Sequence, residues 1–204
     1  MTDMLPGQIT GQSITPRDCL LSSEGVIYGR GVIDAARAYN GANTNYESQI
    51  FPGTPLGRIA ATKLWVPCKR TAVTASGGAT SASVPVVDAR NFRAGDTITV
   101  GGDTGLTISS VNYSTNTIVL SGSITFANDE AVYAEDGSQI ARGIINEFRN
   151  LRDLDGIWRN KPFSLLILAG LIDPNKCFGD LTAIRADTGN KLGQILFGDD
   201  AGQV

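Results

Sequence analysis

Hydrophobic and polar positions along this chain alternate in short runs broken by glycine, and long helical stretches are few. Between residues 84 and 136 the pattern is clearest: VPVVDA, GDTITV at 95–100, LTISSV at 106–111, NTIVLSG at 116–122 and AVYAED at 131–136. Period-two alternation of Val, Ile and Thr is the signature of half-buried strands. Gly101-Gly102 and Ser114-Thr115-Asn116 supply turns between them. The spacing predicts a small β-barrel or sandwich over about residues 84–135. Ahead of it, residues 74–83, TASGGATSAS, have the composition of a flexible Gly/Ser linker.

The flanking regions are also β-rich. Residues 25–38, GVIYGRGVIDAARA, fit either a strand pair or a short helix. In residues 51–68, FPGTPLGRIAATKLWVPC, Leu56, Ile59, Leu64 and Val66 fall at strand-like positions. The run SLLILAG, residues 164–170, is apolar on both faces and predicts a buried strand. LTAIRAD and KLGQILF are expected to close the chain as strands. Ile144, Phe148 and Leu151 share one helical face, so a helix around residues 144–154 is a further expectation. Residues 1–22 read as an extended arm. Pro6, Gly7, Gly11 and Pro16 interrupt any helix, and Ile9, Thr10, Ile14 and Thr15 favour extended backbone. Two readings of this arm stand side by side: a frayed end, or a segment that adds as a strand to a neighbour's sheet.

Composition sharpens this picture. Twenty-four glycines in 204 residues exceed the usual ~7% share and suit many tight turns. The net charge is −3, and it is unevenly placed. Residues 71–135 hold two basic and six acidic side chains, a net of −4, which leaves +1 for the remainder. That acidity predicts a solvated unit inserted between residues 23–70 and 136–204. No Lys/Arg block or stripe marks a nucleic-acid contact. The longest apolar run, near residues 165–172, is too short for a transmembrane helix. Residues 1–12 lack the basic and apolar regions of a signal peptide.

The search for bond-making chemistry finds little. There is no histidine, which removes His-based triads and zinc motifs. Cys19, Cys68 and Cys177 are odd in number and far apart, so neither a disulfide framework nor a metal site is predicted. No phosphate-loop or dinucleotide motif occurs in a strand–turn–helix setting, and no cofactor is expected. Asp153 with Asp155 and Asp199 with Asp200 are the closest carboxylate pairs, better read as solvated surface acids than as a hydrolase couple. Asp129-Glu130 and Glu135-Asp136 lack a calcium-loop pattern. Trp65, between Leu64 and Val66, is expected to pack in a core or at an edge. Trp158, beside Arg159 and Lys161, is equally open to a contact role.

Two stretches flanking the insert, taken together, resemble the lambda-type head decoration (capsid cement) proteins of tailed phages. The first is GTPLGRIAATKLWVP, residues 53–67, an aliphatic–Gly–Arg–aliphatic strand followed by an aromatic and a proline. The second is DGSQIARGII, residues 136–145, a turn leading into an aliphatic strand. In that family only a short loop separates the two parts, whereas here residues 69–135 intervene.

The resemblance implies a mainly β, β-tulip-like decoration domain with little helix, carrying the inserted β domain. It implies a non-enzymatic protein of the virion, made in the host cytoplasm and bound to the outer surface of the expanded capsid. Its expected partners are the major capsid protein and two further copies of itself in a homotrimer. Nucleic acid, membrane, metal and cofactor are not expected partners. Capsid contacts are expected from Ile9, Thr10, Ile14, Thr15 and Leu20 of the arm, and from Trp158. The competing expectation is a glycan- or host-surface-binding module that works through the insert, with Phe92, Tyr113, Phe126 and Tyr133 as its available aromatics.

Overall fold

The computed structural model describes residues 19–38 and 49–198. Of these, 52% are strand and 8% helix, so the protein is mainly β with little helix, as the sequence pattern predicts.

The first sheet is built from β1 (Leu20–Ile33), β3 (Thr54–Arg58), β4 (Trp65–Pro67), β11 (Ala141–Ile145), β13 (Lys161–Ile172) and β14 (Ile195–Phe197). Strand order runs β1-β4-β3-β11-β13, and an antiparallel β1–β13 pairing closes these five into a barrel. β14 lies parallel to the end of β13 and extends the sheet beyond the ring. Residues 25–33, left open between strand pair and helix, belong to the single long strand β1, and a one-turn helix α1 (Ala35–Ala38) follows it. Asp34 starts that turn, its carboxylate accepting from the Ala36 N–H at 3.0 Å. A two-residue pair, β2 (Gln49–Ile50) with β12 (Arg149–Asn150), sits beside the barrel.

The second sheet contains β5 (Arg70–Ala72), β6 (Gly77–Pro85), β7 (Thr97–Val100), β8 (Asp103–Asn112), β9 (Thr117–Phe126) and β10 (Ala131–Ala134), in the order β5-β10-β7-β8-β9-β6. It curls until its first and last strands meet at a Val73–Val86 bridge. Thr74 and Val87 donate across this junction to Pro85 and Ala72. The alternation read from the sequence faces one interior: Ile98, Val100, Ile108, Ile118, Leu120 and Val132 pack with Phe92 and Phe126. Each such side chain removed from water contributes roughly 1.5–3 kcal/mol. The insert therefore has a core of its own.

Four expectations need correction. Residues 77–85 are a strand, not a linker. Phe126 lies so close over Gly77 that a Cβ there would come within 2.3 Å of its ring, and this contact explains the small residue. The helix predicted over residues 144–154 is absent. Ile144 and Ile145 are neighbours on β11 that point into two different apolar clusters, so both are buried without helical geometry. LTAIRAD forms the helix α2 (Leu181–Ala186) rather than a strand, because the Asp180 carboxylate caps it by accepting from the Ala183 N–H at 3.0 Å. Finally, SLLILAG is not buried throughout. Ser164 and Leu165 are exposed, and burial on both faces begins only at Leu166.

The insert joins the barrel through polar contacts as well as through the chain. The second carboxylate oxygen of Asp180 accepts from the Thr71 hydroxyl at 3.1 Å and from the Ala72 N–H at 3.0 Å, so one capping residue ties α2 to β5. Asn91 donates to the Cys68 carbonyl, and Arg93 to that of Ala36. Lys69 is also buried, at 1% exposure, and its ammonium meets Asp96 at 2.7 Å.

Candidate functional site

The two motif halves that flank the insert meet in space. β3 and β11 pair antiparallel, placing Ala141 opposite Gly57. The Asp136-Gly137-Ser138 turn folds onto β3: Asp136 accepts from the Ser138 N–H at 3.0 Å, and its carbonyl accepts from the Ala60 N–H at 2.7 Å. Gly137 adopts φ +94°, the left-handed region that glycine alone enters without strain. The Ser138 carbonyl sits so near Gly57 that any Cβ there would be 1.9 Å away. The same carbonyl accepts from the Lys69 N–H, which starts the insert.

The chemistry-bearing side chains stay apart or are already engaged. Among the described residues, no three His, Cys, Asp or Glu side chains gather as a metal site would require. The Cys68 thiol donates to the Gln139 carbonyl, and burial pushes its pKa far upward. Burial chiefly, with Cys19 and Asp173 nearby, pushes Cys177 up to about 12. Neither thiol is poised as a nucleophile. At pH 8 the folded protein is therefore expected to react with iodoacetamide at least about a hundredfold more slowly than the unfolded chain, as mass spectrometry would follow. Rapid labelling of Cys68 or Cys177 in the native state would contradict this environment.

Asp153 and Asp155 do not converge on a cavity. Both hold Arg159, at 2.6 and 2.9 Å, and Asp153 also pairs with Lys161. The Ile157 N–H and Arg159 hold Asp155 below the usual carboxylate range. Glu135 is lowered likewise, by the Gly105 N–H and the Thr99 hydroxyl. Asp199 and Asp200 lie outside the described residues.

What these ion pairs brace is a short hairpin. Arg152 and Trp158 form a backbone bridge, the Asp153 N–H donates to the Ile157 carbonyl, and the Arg159 N–H to that of Leu151. Its tip presents Leu154 at 82% exposure and Ile157 at 52%. Lys161, which pairs with Asp153, begins β13, and the adjacent Pro162 pairs with Val32 of β1. Along β1 and β13 the outer face continues with exposed Ile27, Tyr28, Val32 and Leu165. β1 is bonded to β13 along one edge, but its ladder to β4 consists of the single Ile33–Trp65 pair. Exposed aliphatic side chains on a thinly paired strand are features of a docking surface.

The expected contact residues fall differently. Ile9, Thr10, Ile14 and Thr15 lie outside the described residues. Leu20 is part of β1, paired with Ile172 and packed against the cluster around Cys19 and Phe197, so the arm's last residues belong to the barrel sheet. Trp158 turns inward, against the cluster that includes Leu151 and Phe163. The outward residues of its hairpin are Leu154 and Ile157, which sequence reasoning passed over. Their signal was present in the DLDGIWR stretch, where two aliphatics sit amid charges and turn residues. Trp65 packs edge-on against Phe163, with ring centroids 5.7 Å apart. In the insert, Phe92 and Phe126 are core, the Tyr113 hydroxyl donates to the Phe92 carbonyl, and Arg70 covers Tyr133. Phe92 and Phe126 are thus withdrawn from solvent, and the two tyrosines are half-buried. Compared with known proteins, the chain matches no family model and no curated sequence.

Proposed function

We propose that this protein is a structural component of a tailed-phage virion that binds the outer surface of the expanded capsid and stabilises it. The observation that carries the reading is the exposed apolar surface formed by the Leu154/Ile157 hairpin and the outer face of β1 and β13. Aliphatic side chains held out by a braced scaffold suit protein docking. The junction of the two motif halves at Gly57 and Ser138 supports the resemblance that suggests the capsid. On this reading the chain acts as a homotrimer, and residues 1–18 add to strands of the major capsid protein. Binding to the assembled lattice, and not to free subunits, stabilises the shell by mass action. Three arms on one trimer add avidity.

The test is co-sedimentation with expanded and unexpanded heads assembled from the cognate capsid protein. The full chain is expected to pellet with expanded heads only. The double variant Leu154→Asp/Ile157→Asp changes exposed positions, so its stability should stay within about 0.5 kcal/mol of wild type. Its affinity for heads is expected to fall at least about tenfold. A variant that binds undiminished removes the hairpin from the interface. A wild-type chain that ignores both kinds of head removes the reading itself.

A further inference from the structure

Four of the five barrel strands, β3, β4, β11 and β13, together with the loop leading into β14, wall a groove of about 570 Å³. Its lining combines Trp65 and Leu168 with three cations, Arg58, Arg142 and Lys191, and includes no carboxylate. Elsewhere on the molecule Lys69, Arg70, Arg149 and Arg159 each meet an acid. None of the three groove cations has a carboxylate partner among the described residues. In a chain of net charge −3, this acid-free cluster makes the groove locally positive, and Arg142, the less exposed member, is the least screened by water.

Arg142 is the most enclosed of the three cations. Its Nε is buried from water and has no hydrogen-bond partner. An atom closed to water is closed to a ligand oxygen as well, so Nε stays within the wall and only the terminal guanidinium nitrogens are available to a ligand. The neighbouring parts are fixed in advance. The Arg58 Nε donates to the Lys63 carbonyl at 2.8 Å, which holds its stem beside Trp65. The Lys191 N–H donates to the Ala141 carbonyl at 2.7 Å, so that loop is pinned next to Arg142. Asn190 stiffens the same loop by donating to the Arg185 carbonyl at 3.1 Å.

We infer that this groove binds an acidic saccharide, with a uronate carboxylate received by Arg142, Arg58 and Lys191. The indole and Leu168 offer an apolar wall for the C–H face of a pyranose ring, and the Gln194 amide at the rim suits its hydroxyls. The volume lies within the usual range for small-ligand sites. This site is separate from the hairpin and from the insert, and its assignment does not depend on capsid binding.

Titrating the full chain with linear trigalacturonate, followed by calorimetry or NMR shifts, tests the inference. Saturable binding is expected at low salt, weakened in 0.5 M NaCl by screening. Neutral maltotriose is expected not to bind. Arg142→Gln should weaken binding at least about tenfold. Lys191 is exposed, so Lys191→Glu leaves the fold intact and should weaken binding comparably, which decides the matter if Arg142→Gln proves unstable. The inference fails if trigalacturonate gives no saturable signal, or if Lys191→Glu binds as wild type. It fails also if inorganic phosphate alone perturbs the groove as strongly, which would reduce the site to a general anion cluster.

Discussion

Gly57→Ala is expected to cost about 3 kcal/mol or more, at the upper end for forcing one extra carbon into a packed site. For a chain of this length that corresponds to a loss of roughly 6–12 °C in Tm, read by calorimetry or circular dichroism. The reason is geometric. The new Cβ would sit 1.9 Å from the Ser138 carbonyl oxygen, a backbone atom that cannot swing aside as a flexible side chain would. Relief requires moving the Asp136–Ser138 turn, and with it the Ala60–Asp136 and Lys69–Ser138 backbone bonds. By contrast, alanine at Gly78 or Gly122 meets nothing within 4 Å and should be close to neutral. Equal stability of Gly57→Ala and Gly122→Ala would show that the turn does not pack on β3 in this way.

The second large effect concerns Lys69 and Asp96. Asp96→Ala strands an ammonium whose side chain is only 2% exposed, and a loss of about 3–5 kcal/mol is expected. Lys69→Met should cost less. It leaves Asp96 at 13% exposure, still accepting from the Arg93 N–H at 3.0 Å and close to the Arg93 guanidinium. The asymmetry is the test, measured by urea unfolding of the two variants. Equal losses would mean that the pair is not closed as described.

Acidity gives an independent check. Burial, the largest influence, lowers the Lys69 pKa from its ordinary 10.5, while Asp96 opposes the shift. Removing Asp96 takes away the main opposition to burial, leaving Asp136 to oppose it and Arg93 to aid it. Folded Lys69 then releases its proton at a pH where the unfolded chain still holds one. Stability of Asp96→Ala therefore rises as pH climbs toward about 10.5 and is lost as pH falls. Its deficit against wild type should narrow between pH 7 and pH 9.5.

The insert was the most legible part of the chain, and its strands show why. In TITV, Ile98 and Val100 alternate with threonines, and in TIVL the buried Ile118 and Leu120 alternate with the half-buried Thr117 and Val119; the buried set fills a single interior. That pattern is local, so it survives without knowledge of neighbours. The strand over residues 77–85 was hidden because its first glycine is explained by a ring 49 residues further on: Gly77 pairs with Phe126. The spurious helix over residues 144–154 arose from the i, i+4, i+7 spacing of Ile144, Phe148 and Leu151, which share no face in the fold: Ile144 and Leu151 are buried in different clusters and Phe148 is exposed. For LTAIRAD the helix signal is the cap at Asp180, which lies just before the run and outside its own pattern.

Of the candidate surface, the hairpin's charges and aliphatics were all visible. What was not visible is which way each points. Trp158 was the conspicuous residue, and its large apolar area is why it turns inward, leaving the smaller Leu154 and Ile157 outside. Ion pairs between Arg159, Lys161 and the two aspartates hold that arrangement, and no spacing rule announces them.

The adjacency of β5 and β10 has a practical side. The excursion leaves the barrel at Lys69 and returns beside it, where the Ala134 N–H donates to the Lys69 carbonyl at 3.1 Å. Topologically the whole acidic module is a swollen loop, and a few residues of bridge would span the stumps. Excision alone would nonetheless leave a positive charge stranded in the seam, because Asp96 departs with the module. A minimal barrel is therefore reached by trimming residues 74–130 and exchanging Lys69 for methionine in the same step. Other modules grafted at these stumps would face the same requirement: bring an acid for Lys69, or arrive with the lysine already gone.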